Sequence, residues 1–254
     1  MNIRFEASWC GSDLGGHRSC PNTYDHYSHD SLPPLDERRF KGTFEWLGGR
    51  TGTSVDRVTE LRTVTEELDR KELSLPQDFI TYFTSANLPD ILGDQSLTCC
   101  WSSLSKPIPS PVEPGAYLVR FFRDQQDCVL WYFYLRPGSS VFVVHSHLEY
   151  EYEYEAHDSG GEFNGNSDID DLDEQMEALQ YCALTFEEWA YRFWIENRIS
   201  EAVESEDEPS LDEDQHAYLN HYKISRQHSP VRLTGPRKAS AAEHTSRGNN
   251  DDTP

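Results

Sequence analysis

Five side chains able to bind a metal stand close together near the N-terminus: Cys10, His17, Cys20, His26 and His29. They are enough donors for a tetrahedral zinc ion. Their Cys-x6-His-x2-Cys spacing is not a recurrent finger pattern, however, and no Cys-x-x-Cys is present, so the expectation is unligated side chains in an irregular segment. His145 and His147 lie two apart, which on a strand turns both rings to one side and suits a metal. The plainer reading of that pair is a polar patch at a strand end. The acidic run at 168–174 lacks the sixth-position glycine and twelfth-position glutamate of an EF-hand, leaving room only for weak, unselective cation binding. No metal site and no cofactor are therefore expected. Catalytic signatures are missing too: there is no Gly-x-Ser-x-Gly elbow, P-loop, Gly-x-Gly-x-x-Gly turn or His-Glu-x-x-His helix. The carboxylates cluster where nothing desolvates them, so no acid–base pair with separated pKa values is implied. The expectation is a protein that is not an enzyme.

What remains is charge. The 254 residues carry a formal net charge of -23, and the pI is near 4.7. Binding to nucleic acid or an anionic membrane needs clustered Lys and Arg, so neither is expected as a partner. A basic protein partner is compatible, because an acidic surface would steer it in. Two groups could form that surface: Glu149, Glu151, Glu153 and Glu155, and Asp168, Asp170, Asp171 and Asp173. The alternative is a solvated face whose charge only keeps the protein soluble.

These groups must be positioned by a folded core, and the segment 115–144 supplies it. Three runs rich in Val, Phe, Tyr, Trp and Leu are separated by Asp124-Gln125-Gln126-Asp127 and by Arg136-Pro137-Gly138-Ser139. Both separators are turn chemistry, and the runs fit a pleated, half-buried surface. We read an antiparallel meander. Its first strand is apolar on both faces, which places it mid-sheet with cover on each side. Cover would come from a helix opening at Ser54, with Val55, Val58, Leu61 and Leu68 as a stripe, and from a second at 75–86 with Pro76 as its first residue and Phe79, Tyr82, Phe83 and Ala86 on one face. Thr185-Phe-Glu-Glu188 is a capping box, opening a helix with Phe186, Trp189, Ala190, Phe193 and Trp194 on one side. A short strand is expected at 97–101. At 148–155, tyrosine and glutamate alternate with the period of an outer strand.

The fold class expected is thus α+β, an antiparallel or mixed sheet meander covered by N-terminal helices and a C-terminal amphipathic helix. Residues 1–52 form an irregular extension, partly packed through Phe44, Trp46 and Leu47. The domain proper is 53–200, with a flexible acidic loop at 156–178. An acidic linker and short helix occupy 201–225, and a disordered tail 226–254. The mean hydropathy of -0.73 fits a chain in which folded and unfolded parts alternate. No apolar run of membrane-spanning length and no secretory leader is read, and six scattered cysteines suit reduced thiols, so the expected location is the cytoplasm.

Taken in order, several segments resemble the SMI1/KNR4 family, also called the SUKH superfamily. They are the Leu75-Pro76-x-x-Phe79-x-x-x-Phe83 helix start, Tyr117-Leu-Val-Arg-Phe-Phe, Trp131-Tyr-Phe-Tyr-Leu with Val141-Phe-Val-Val144, and the helix from Leu184 to Asn197. Ala217-Tyr-Leu-Asn-His-Tyr222 is similar to the close of some bacterial members. Where members often carry a glycine pair after the Leu-Pro helix, this chain has Asn87-Leu88-Pro89-Asp90. The resemblance implies an α+β domain that binds proteins and brings no catalytic motif. In bacteria it implies an immunity protein neutralising a toxin; in fungi, a regulatory or scaffold protein linked to cell-wall synthesis.

Overall fold

The computed structural model describes residues 4–20, 25–95, 99–101, 103–138, 141–151 and 172–224. At its centre β5 (Tyr117–Asp124), β6 (Leu130–Leu135) and β7 (Phe142–Ser146) run antiparallel as neighbours, which is the expected meander. The Asp124 carboxylate makes the first turn by accepting the backbone N–H groups of Gln126 and Val129 at 3.3 and 3.2 Å. Gly138 makes the second by taking φ +66°. On the far side of β5 two short strands lie end to end: β3 (Cys99–Trp101) along Phe122–Asp124 and β4 (Ile108–Pro109) along Tyr117–Leu118. Beyond β7 lies β8 (Gln180–Ala183), also antiparallel. The architecture is α+β.

Both sheet faces are covered. Arg120 opposes Tyr132 while Phe122 opposes Trp131, so Phe121 is an extra residue in β5. This bulge turns Phe121 and Phe122 to the same face, with ring centroids 4.9 and 5.4 Å from Trp189. Trp189 sits on the long helix Phe186–Glu204. Thr185 caps that helix, its hydroxyl accepting the Glu188 N–H at 3.1 Å, while the Glu188 carboxylate reaches past the cap to the Leu184 N–H. The helix is buried on two sides. Phe186, Trp189, Ala190 and Phe193 pack on the sheet, and Tyr191, Ile195, Ile199 and Ala202 pack on Leu14, Tyr218, Leu219 and Tyr222.

The helices are α1 (Val55–Asp69), α2 (Gln77–Phe83), α3 (Leu88–Gly93), α4 (Leu172–Ala178), α5 (Phe186–Glu204) and α6 (Glu213–Ile224). In α1 the buried stripe is Leu61, Val64 and Leu68, and Val55 and Val58 of the expected stripe are exposed. Pro76 caps α2 rather than opening it, and Ala86 falls beyond its end. The Asn87–Asp90 stretch opens α3, with Pro89 in a first turn that needs no N–H.

The N-terminal stretch contributes more order than its composition suggests. β1 (Ser8–Cys10) and β2 (His26–Ser28) form a ribbon, which joins the edge of β8 through the Tyr181 N–H donating to Glu6 O at 2.8 Å. Trp9, Leu14, Tyr27 and Phe44 are all buried. A buried ionic cluster ties this stretch to α5 and α6. Arg18 donates to both Glu196 oxygens at 2.7 and 2.6 Å, and Trp9 Nε1 and the Tyr218 hydroxyl donate to the same carboxylate at 2.9 and 2.6 Å. Burial alone would raise the Glu196 pKa, but the Arg18 guanidinium and these donors bring it below the ordinary carboxylate value.

Candidate functional site

The acidic groups expected to meet a partner fall in different settings. Glu153, Glu155, Asp168, Asp170 and Asp171 lie outside the described residues. Glu149 is half-buried after the end of β7, and burial, followed by repulsion from Asp127, raises its pKa. Glu151 is consumed internally: its Oε2 accepts Arg120 Nη2 and Nε at 2.6 and 3.1 Å. That pair neutralises an arginine that strand alternation puts on the buried face shared by Leu118, Tyr132 and Tyr134. Asp173 is exposed in the first turn of α4. The alternating segment at 148–155 is not a strand where it is described. β7 stops at Ser146, Tyr150 and Glu151 are helical, and the Tyr150 ring packs on Tyr132. The described end of the expected acidic loop is likewise helical, as α4.

A denser acidic surface lies elsewhere. Glu201, Glu204, Glu206, Asp207, Asp212 and Glu213 are exposed, running from the last turn of α5 to the first turn of α6. These carboxylates are left outside because Ile199, Ala202 and Leu211 take the inward positions. Two surface pairs border it, Arg198–Glu201 at 3.0 Å and Arg39–Asp214 at 2.5 Å. The sequence pointed to 201–208 as an acidic linker, whose charge hid the last turn of α5, and to a short helix after it with Leu211 among its apolar contacts.

The remaining chemistry is where the ribbon meets the sheet. Cys10 and His26 are directly paired across β1 and β2, and His145 on β7 turns toward them. Cys10 Sγ lies 3.7 Å from His26 Nε2 and 3.4 Å from His145 Nδ1. Burial, then repulsion from His26, holds the His145 pKa well below its ordinary value, so the ring is neutral. Two expectations thus merge. Cys10 and His26 from the N-terminal set, and His145 from the His-x-His pair, come together, whereas His147 is exposed beyond the strand end.

Comparison with family models, curated proteins and solved structures finds no match in any of the three. Among the described residues no helix is long and apolar enough to cross a membrane.

Proposed function

We propose that this chain is a protein-binding module of SMI1/KNR4 kind without catalytic activity, an immunity-type protein that neutralises a toxin by covering its basic surface. The observation that carries this reading is how charge is distributed. Arg18, Arg120 and Arg192 are buried on internal partners, while the carboxylates from Glu201 to Glu213 face solvent. The surface field is therefore acidic, which speeds encounter with a basic partner and rejects acidic ones. The order of helices, sheet and long terminal helix supports the kinship. The sheet positions the α5–α6 corner by anchoring α5 through Trp189 and Phe193. Glu149 and Asp173, the described members of the two expected acidic groups that no internal arginine takes up, are a second candidate surface.

Protection of growth tests the reading. Cells would express the toxin encoded beside the gene together with this chain. Replacing Glu204, Glu206, Asp207 and Glu213 by lysine is expected to abolish protection while far-ultraviolet circular dichroism is retained. Replacing Glu149 and Asp173 by lysine separates the second surface from the first. Full protection by both variants would remove the charge-based reading.

A further inference from the structure

We propose that Cys10 Sγ, His26 Nε2 and His145 Nδ1 form a three-ligand site for a single zinc ion, clamping the β1–β2 ribbon to the central sheet. Tetrahedral zinc with a Zn–S bond of about 2.3 Å and Zn–N bonds of about 2.0–2.1 Å sets its sulfur and nitrogen ligands about 3.6 Å apart. The two S···N separations, 3.7 and 3.4 Å, bracket that spacing. All three ligand atoms lie within 4.8 Å of one another. The set joins a thiolate donor to two imidazoles, a borderline-soft combination suited to zinc and unsuited to calcium or magnesium.

The surrounding hydrogen bonds fix which nitrogen of each ring is left to bind the ion. Gln180 Nε2 donates to Glu177 O at 3.4 Å, which orients the amide so that its oxygen faces the site. That oxygen accepts His26 Nδ1–H at 2.9 Å and also accepts the Ser8 hydroxyl. Having donated its proton there, Ser8 Oγ accepts His145 Nε2–H at 2.9 Å. His26 thus carries its proton on Nδ1 and turns its Nε2 lone pair to the Cys10 side, whereas the His145 ring lies side-on to the sulfur, Nδ1 at 3.4 Å and Nε2 at 3.9 Å from Sγ, and must turn to aim Nδ1 at the ion. Metal-binding histidines are held in this manner by partners on their second nitrogen. Binding would transfer the Cys10 thiol proton to solvent and leave a fourth position for water. The ligands come from three strands separated in sequence, so the ion would link the N-terminal ribbon to β7. This role is independent of the acidic surface.

The test uses the reduced full-length chain, stripped with a chelator and titrated with Co2+ and then Zn2+. One equivalent of cobalt is expected to give a thiolate-to-cobalt charge-transfer band, which zinc abolishes by displacement. His26→Ala, at a half-buried position that leaves the core intact, is expected to lose the one-equivalent band. Gln180→Ala is expected to weaken binding about 10–100-fold. Zinc-edge X-ray absorption of the unaltered protein requires no variant, and one sulfur at about 2.3 Å with nitrogen neighbours at about 2.0–2.1 Å is expected. A shell without sulfur, absence of the band at one equivalent, or a band unchanged in His26→Ala would each overturn the assignment.

Discussion

Replacing Glu196 by glutamine alters one atom in the most buried ionic cluster described and has a calculable consequence. The carboxylate accepts two hydrogen bonds from Arg18, one from Trp9 Nε1, one from the Ser12 N–H at 3.2 Å and one from the Tyr218 hydroxyl. Its side chain and that of Arg18 are 1% and 6% exposed, so water cannot replace what is lost. The glutamine leaves Arg18 charged and buried, and one end of its amide presents protons to donors. Removing one partner of a buried pair costs about 3–5 kcal/mol. For a chain of this size that lowers the melting temperature by about 6–20 °C, using about 2–4 °C per kcal/mol. Urea unfolding followed by tryptophan fluorescence reads the effect, with Trp9 as a local reporter. Arg198→Ala, which breaks an exposed pair, serves as the control and is expected to change stability by less than about 1 kcal/mol. Converting Arg18 and Glu196 together to methionine and leucine is expected to recover part of the loss, because no buried charge is then left alone. A Glu196→Gln loss within about 1 kcal/mol of the control would refute the claim that this cluster locks the N-terminal stretch to α5.

The same cluster sets a pH dependence. Because the folded Glu196 pKa is below its ordinary value of 4.5, its contribution is complete above that value and is lost as pH falls through the folded pKa. Asp78, Glu187 and Glu188 have the opposite sign, burial having raised their pKa values, but they occur in both proteins and cancel in the difference. The stability gap between the parent and Glu196→Gln should therefore narrow on acidification below about 4.5, and a constant gap in urea titrations would contradict this. Trp189→Ala should cost about 3–5 kcal/mol by emptying the space against Phe121, Phe122 and Trp131, measured by the same unfolding curves. Thr185→Ala should cost about 1 kcal/mol through loss of the cap on α5.

The meander and α5 were legible because their signals are local. Asp124 and Gly138 punctuate runs apolar on both faces, and Phe186, Trp189 and Phe193 repeat at helical spacing. The ribbon β1–β2 was not legible. Its strands are three residues long and sit among glycine, serine and histidine, and what holds Trp9 is Glu196, 187 positions away. The bulge at Phe121 was hidden as well, since period two alone sends Phe121 and Phe122 to opposite faces. Alternation misled at 148–151, where tyrosine and glutamate follow strand period but Tyr150 enters a helix to cover Tyr132. The cysteine–histidine cluster was visible only in halves, because Cys10 and His145 stand 135 residues apart. For the acids, composition foretold a negative surface but not that Glu151 is spent on Arg120.

The proposed binding role is tested most directly by the association rate of the purified chain with a basic toxin of the class proposed, measured at low and high ionic strength. We predict fast association that slows steeply with added salt, and loss of that salt dependence when Glu204, Glu206, Asp207 and Glu213 are lysine. Association unaffected by salt and by the four replacements would contradict the account.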